Sequence, residues 1–550
     1  MLTLRRIYLY AVLGVALAVL LLGLTDIVRI ALDRIADTLA ARTFISDDIR
    51  AELSWALALV IVSAPVFVVH LVLVRRSLTG PAAAVADERA CASRSTYFFL
   101  VLLVTGVLAW MRLFELADAA IHVAVSGARA WEISGVAAGA LIAGGAWVLH
   151  VIARRHDFAA APSRTAGDWL TRGYLYGTLF ATAMLVCIGV GNTLATVARR
   201  ALDLQPTWQS GTWWYEEIAT FAALAGVSLA AWAIHWLMAG RLLRAAAPMG
   251  AAHRDSRTRT GYFLAVVLAA AAASVLLVSM GLREVLAGLT GTWSSSDGSR
   301  FVEDVGGPLL LAGPFLVAWW WHLRRATAEA QAFQGTERAL ATRRAGRLVV
   351  ALVGLAGLAI GLTWELQALL DAFGSSGQPT LFSSDDVSRV STSALAGALV
   401  GLLVWAPAWT LSQQERRRDP QGSATAMARR AYLYLVSGLA VVALMIALAF
   451  VIYQATRLLL GTDLIDDASW SLAVLIVASA VLAYHLYVLR SDVLVARVTE
   501  APVATAVEVA QAVETIEIRG PVGADFTVLN AAIRSELPED FELRVIQPGT

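Results

Sequence analysis

Five histidines recur at the far ends of apolar segments, where imidazoles could hold a haem or a metal ion. They are His70, His150, His235, His322 and His485. A b-type haem needs two imidazoles from different helices at one depth, and equal placement makes such pairing conceivable. Most bound b-haems lie within the apolar layer, whereas these histidines are expected at its edge. We therefore expect no cofactor.

An acidic residue precedes each of these histidines by 18 positions. The acids are Glu52, Glu132, Glu217, Asp304 and Asp467. Eighteen residues make five α-helical turns and rise about 27 Å, so the acid and the histidine are expected on one helix face at opposite membrane surfaces. Because no carboxylate shares the membrane face of the histidines, we expect no metal site and interpret each pair as fixing the depth of its helix.

A tyrosine opens the helix that comes before each histidine-bearing helix. These tyrosines are Tyr8, Tyr97, Tyr174, Tyr262 and Tyr432. A further copy of the pattern has Gly346 at the tyrosine position and Ala408 at the histidine position. This joint absence predicts that each tyrosine hydrogen-bonds the histidine of its own copy. Trp147, Trp232, Trp319 and Trp405, each three residues before the histidine position, are expected to anchor the same flank at the membrane interface.

These positions belong to six tandem copies of one helical hairpin, and the apolar runs of the copies are long enough to cross a bilayer. The chain is 58% hydrophobic and 15% charged. The expected fold is an all-α polytopic membrane protein of twelve transmembrane helices in six parallel hairpins, with a small C-terminal β-α-β piece. The expected boundaries are 1–90, 91–168, 169–256, 257–340, 341–426 and 427–492 for the hairpins, 493–514 for a linker and 515–550 for the tail.

Arginine sets the expected orientation. The N-terminus and the loops after the histidine-bearing helices hold 26 arginines, and the opposite loops hold 12. Positively charged loops favour the cytoplasmic side, so both termini are expected there, in a bacterial inner membrane. The net charge of +1 gives no basic excess for nucleic acid.

The tail differs in character from the spans. Residues 515–519 and 541–546 are predicted strands, and about 524–536 a helix. A unit this small holds a poor core alone, so we expect it to dock on the bundle, to self-associate, or to join a protein partner.

The repeated opening "RRxYLY", as in "RRIYLY" (5–10) and "RRAYLY" (429–434), followed by a two-helix unit, resembles bacterial membrane proteins grouped as a domain of unknown function, number 5671. The resemblance covers roughly residues 5–490. It implies multi-pass membrane topology and no activity.

The chain carries no phosphate-binding glycine-rich loop, nucleophile elbow, HExxH or CxxC, so we expect no enzyme. The leading expectation is a scaffold or accessory subunit of a membrane assembly with a cytoplasmic docking tail. The alternatives are a channel or transporter with its path between hairpins, and a haem- or quinone-linked redox subunit. Gly135-x3-Gly139, Gly357-x3-Gly361 and Gly397-x3-Gly401 predict close helix packing.

Overall fold

The computed structural model describes residues 2–39, 47–126, 133–161, 168–204, 213–291, 298–374, 384–459, 468–500, 527 and 531–533. Met1–Ala496 form one compact unit and Arg497–Thr550 a second. Twelve helices of the first unit are long and apolar enough to cross a membrane. The described residues contain no strand. The prediction of an all-α, multi-pass membrane protein is therefore confirmed.

The twelve spans follow one another as six pairs, here called repeats, each with a first and a second helix; the two helices pack against each other as a hairpin in the first five repeats. In chain order the spans are α1 (Leu2–Leu39), α2 (Asp47–Ser77), α4 (Ala92–Ser126), α5 (Ile133–Ala160), α6 (Trp169–Ala201), α7 (Trp213–Arg244), α9 (Arg257–Thr290), α10 (Gly298–Gln334), α11 (Thr336–Gly374), α12 (Ser384–Arg418), α14 (Met427–Leu459) and α15 (Ala468–Glu500).

Three short helices follow the first, third and fifth repeats: α3 (Ala82–Ala90), α8 (Met249–Arg254) and α13 (Pro420–Thr425). The connection between the fourth and fifth repeats is instead one residue, Gly335, with φ of +85°. Glycine takes this left-handed conformation without a Cβ penalty, which lets α10 end and α11 begin at once. A short helix thus connects the two repeats of each pair. The first pair is repeats 1 and 2, the second pair is repeats 3 and 4, and the third pair is repeats 5 and 6.

Contacts between repeats run in order along the chain. Each first helix packs against the next first helix, from α1 and α4 through to α11 and α14. The first helices of repeats 1 to 4 also pack against the second helix of the next repeat, as α1 does with α5 and α6 with α10. From the second repeat to the fifth, the second helix therefore lies between two consecutive first helices. Large apolar side chains remain exposed on outer helices, such as Trp55 on α2 and Met445 on α14, as expected for lipid-facing surfaces.

The glycine pairs account for the close packing of the fifth hairpin. A Cβ on Gly361 would lie 2.4 Å from the backbone nitrogen of Ala398, and one on Gly401 would lie 2.2 Å from that of Leu358. Gly357 likewise faces the Cα of Gly401. Glycine is needed at these positions because the two backbones touch. Gly135 and Gly139 instead make room for the side chains of Arg29 and Arg112.

The tail prediction has little support. Thr527 and residues 531–533, within the predicted helix, are helical. The predicted strands 515–519 and 541–546 lie outside the described residues, so the β-α-β arrangement is not supported. The last span also runs to Glu500, into the predicted linker 493–514, and the rest of that linker lies outside the described residues.

Candidate functional site

The predicted positions meet at one end of the bundle, here called the histidine end. The histidines were expected to end their helices, and this was wrong: α2 continues from His70 to Ser77, and α10 from His322 to Gln334. The extra turns carry arginines and acids that pair across the hairpin. His235 and His485 are almost completely buried, at 0% and 1% exposed.

Each of four tyrosine hydroxyls faces the histidine of its own repeat. The distance from Oη to Nε2 is 2.9 Å for Tyr97 and His150, for Tyr174 and His235, and for Tyr262 and His322. It is 3.5 Å for Tyr432 and His485. The first repeat differs, because Tyr8 is 58% exposed and its ring centre lies 5.7 Å from that of His70.

The other ring nitrogen of every histidine is also engaged. Nδ1 lies 2.7–2.8 Å from the carbonyl oxygen four residues earlier in all five repeats. A carbonyl only accepts, so Nδ1 carries the proton and donates. Nε2 of the neutral ring is then an acceptor, and the tyrosine hydroxyl donates to it. Where both bonds are present, neither nitrogen is left for a haem iron or a metal ion.

The fifth repeat fills the vacant place with apolar groups. A Cβ on Gly346 would lie 2.2 Å from Cδ1 of Leu323, which reaches in from α10. Ala408 is 6% exposed, and neighbouring Trp409 packs in the same core cluster as Leu348. The repeat has thus replaced a buried polar pair by hydrocarbon, which leaves no polar group without a partner.

A tryptophan links two repeats. Nε1 of Trp147, in the second repeat, donates to the hydroxyl of Tyr174, in the third, over 2.6 Å. Gly106 makes room for this contact, because a Cβ there would lie 3.2 Å from the Trp147 ring. Trp147 was predicted to be an interfacial anchor, but it is 9% exposed and packs between repeats. Among the described residues, consecutive hydrogen bonds thus connect Trp147 to Tyr174 and Tyr174 to His235.

The acids of the 18-residue spacing lie at the opposite end of their helices. Glu52 pairs with Arg29 over 2.8 Å, and Glu217 pairs with Arg199. Both arginines come from the first helix of the same hairpin. Asp304 is exposed, while Glu132 and Asp467 lie outside the described residues.

A set of buried ion pairs was not predicted. An arginine three residues before the tyrosine meets an acid seven residues after the histidine, in the second, fourth and sixth repeats. The nitrogen–oxygen distances are 2.6 Å for Arg94 and Asp157, 2.8 Å for Arg259 and Glu329, and 2.6 Å for Arg429 and Asp492. All six side chains are under 10% exposed. The first and third repeats lack this combination, with Ser77 and Leu242 at the acid position, whereas the fifth repeat has Arg343 and Glu415 at the two positions.

These arginines also bind the preceding odd repeat. Nη1 of Arg94 donates to the hydroxyl of Tyr10, and Nη1 of Arg259 to that of Tyr176, each over 3.1 Å. Arg429 donates to Ser412 in the third pair over 3.0 Å. The contacts therefore join repeats 1 to 2, 3 to 4 and 5 to 6, which agrees with the division made by the short helices.

Each short helix contributes one buried residue to this layer. Glu88, His253 and Ser423 stand six residues before Arg94, Arg259 and Arg429 respectively, and are 7%, 2% and 4% exposed. Only Glu88 is acidic; its carboxylate accepts from Nε of Arg6 over 2.7 Å and from the Tyr10 hydroxyl over 2.9 Å. Among the described residues, no cluster of three or more histidines, cysteines and acids could hold a metal ion.

Comparison with known proteins agrees with these pairs of repeats. No curated protein and no solved structure matches the chain significantly. A protein family matches twice, over residues 6–144 and 344–484, and each range covers one pair of repeats, the first and the third. The two ranges make up just over half of the 550 residues, and the chain belongs to the family described as "Domain of unknown function (DUF5671)".

Proposed function

We propose that this protein is a non-enzymatic scaffold or accessory subunit of a membrane assembly. It would lie in a bacterial inner membrane with both termini cytoplasmic, and residues 515–550 would dock a protein partner. The arginine excess at the histidine end supports this orientation.

The observation that carries the proposal is that the histidines and the buried arginines bond to other groups within the protein. In the second, third and fourth repeats both histidine nitrogens are within 2.9 Å of a tyrosine hydroxyl or a backbone carbonyl. The arginines of the even repeats are paired with acids. Buried networks that are satisfied in this way hold elements in a fixed arrangement, which suits a rigid support better than redox chemistry at the histidines.

The packing pattern supports the same proposal. The second helices of the middle repeats lie between two first helices, so consecutive hairpins brace one another. Exposed apolar side chains of the outer helices, such as Trp55 and Met445, would contact other membrane proteins, and the second unit, Arg497–Thr550, would recruit a soluble partner.

Native mass spectrometry from the protein's own membranes in mild detergent tests the proposal. The full chain, of 58.6 kDa, is compared with a chain that ends at Glu500. We expect a second polypeptide on the full chain only, with equal thermal midpoints for the two forms. The bare mass or its multiples in both samples, together with ion flux in liposomes, would favour the channel alternative, and a haem-sized increment would favour the redox alternative.

A further inference from the structure

A cleft opens at the histidine end of the third pair, between α11, α12, α13 and α14. Its polar lining is Arg344, Arg347, Ser412, Glu415, Ser423 and Arg429. Three of these six residues are cationic and one is acidic. The cleft takes no part in the tyrosine–histidine bonds described above.

The lining repeats the surroundings of Glu88 in the first pair. Arg344 stands two residues before the tyrosine position of its repeat, as Arg6 does, and Leu348 stands two residues after it, as Tyr10 does. Ser423 stands six residues before Arg429, as Glu88 does before Arg94. The cleft therefore lies at the place that holds the Glu88 carboxylate in the first pair.

In the first pair this place is filled from within the chain. The Glu88 carboxylate accepts from Arg6 over 2.7 Å and from Tyr10 over 2.9 Å. Arg6 also pairs with Asp87. In the first pair, an arginine of the first helix thus binds an anionic oxygen that the short helix supplies.

In the third pair no carboxylate stands at the equivalent position. Ser423 is 4% exposed, and its Oγ has no hydrogen-bond partner. Nε of Arg344 has no hydrogen-bond acceptor either. A buried hydroxyl without a partner is unfavourable, and an acceptor in the cleft would give both groups a hydrogen bond.

Acids compensate the arginines around the cleft. Glu415 accepts from Arg347 over 2.6 Å and forms an ion pair with Nε of Arg344 over 3.4 Å. Asp419 lies 3.9 Å from Nη2 of Arg344, and Asp492 pairs with Arg429 and Arg416. The ion pairs of Arg344 are thus longer than that of Arg6 with Glu88, and Nε of Arg344 makes no hydrogen bond.

We propose that this cleft binds the phosphate group of an external anion, at the place that the Glu88 carboxylate takes in the first pair. The cleft has a volume of about 10 Å³, so a tetrahedral phosphate at its mouth can place one oxygen inside, beside the Ser423 hydroxyl and the guanidinium of Arg344. The source is either an anionic lipid headgroup, since basic pockets at span ends bind such lipids, or a soluble phosphate.

The sharpest variant is Ser423→Glu, which supplies in the chain the carboxylate that the first pair has. The full-length protein in detergent is incubated with radiolabelled inorganic phosphate, or with phosphatidylglycerol or phosphatidylcholine for native mass spectrometry. We expect at least about tenfold weaker binding by Ser423→Glu, because one charge-assisted bond is worth 1.4 kcal/mol or more. Thr79→Glu, at an exposed position, is the charge-matched control and should bind as the wild type does.

The outcomes separate the two sources. Binding of inorganic phosphate identifies a soluble ligand, and binding of phosphatidylglycerol without inorganic phosphate identifies a lipid. Glu88→Ser should create a second site of the same kind in the first pair. Equal binding by wild type and Ser423→Glu, or no binding of either probe to the wild type, would overturn the proposal. Should Ser423→Glu not fold, Ser423→Ala and Arg344→Gln must each weaken binding.

Discussion

The hydroxyl of Tyr174 lies 2.9 Å from Nε2 of His235 and accepts from Nε1 of Trp147 over 2.6 Å. The three residues come from α6, α7 and α5, so one hydroxyl connects two repeats. It can do both because a hydroxyl has one proton to donate and lone pairs that accept.

This connection predicts energetic coupling. Tyr174→Phe should cost about 0.6–2 kcal/mol of unfolding free energy in mild detergent, as interhelical hydrogen bonds in membranes do. The same change in a His235→Ala background should cost less, because the acceptor is already gone. Denaturant titration of the four proteins measures the difference. Tyr8→Phe, at a 58% exposed residue, should have little effect. An equal cost of Tyr174→Phe in both backgrounds would contradict the coupling.

The buried ion pair of the second repeat predicts a larger effect. Asp157→Ala leaves the guanidinium of Arg94, in a side chain 8% exposed, without its main partner, and should cost about 3–5 kcal/mol. Replacing both residues by leucine should cost less than Asp157→Ala alone. The control is Glu115→Ala, which breaks the pair with Arg112, whose side chains are 45% and 36% exposed, and should cost about 1 kcal/mol or less. Thermal unfolding that ranks Glu115→Ala above Asp157→Ala would refute this.

The close approach of two backbones at Gly401 predicts that the fifth hairpin is sensitive to substitution there. A methyl group there would meet the backbone nitrogen of Leu358 at 2.2 Å, so Gly401→Ala should separate α11 and α12 and cost about 1–3 kcal/mol. Gly438→Ala is the matched control, because nothing lies within 4 Å of its Cβ position. That control should be neutral or stabilising by up to about 1 kcal/mol, from helix propensity. Equal thermal midpoints for both variants would argue against the close approach.

Chemical labelling of Cys91 tests both the membrane orientation of the protein and the surroundings of this thiol. It lies between α3 and α4 and is partly buried, and burial raises the pKa of its thiol above the ordinary value. Because the thiolate is the reactive form, labelling by an impermeant maleimide should be slow at pH 7. It should rise about tenfold per pH unit until the raised pKa is passed. In a Cys187→Ser background, inverted vesicles should label and intact cells should not; labelling of intact cells would reverse the proposed orientation.

The tyrosine–histidine bonds could be predicted from the sequence because one repeat lost both residues together. Gly346 and Ala408 indicate that the two positions depend on each other, and the distances in the second, third and fourth repeats agree. The first repeat could not be predicted in this way: Tyr8 fits the pattern, yet its side chain is exposed.

The buried arginine–acid pairs could not be predicted because the apolar segments end at the histidines, so each helix was expected to end there. Asp157, Glu329 and Asp492 stand seven residues farther on, where a loop was expected. The first and third repeats have no acid at this position, so a comparison of all six copies at once obscures the pattern. Comparing the even copies alone would have found it.

Because these contacts join the repeats two by two, they favour an even number of repeats. Tyr10 and Tyr176 each need a following repeat that begins with an arginine, whereas the even repeats have their own acid and need no such neighbour after them. Gain or loss of two hairpins together would join like ends and keep every buried charge paired. Loss of the second repeat alone would set the first repeat against the third, which has Thr171 at the position of that arginine, so Tyr10 would face no donor. Chains in this family are thus expected to differ in length by steps of four helices.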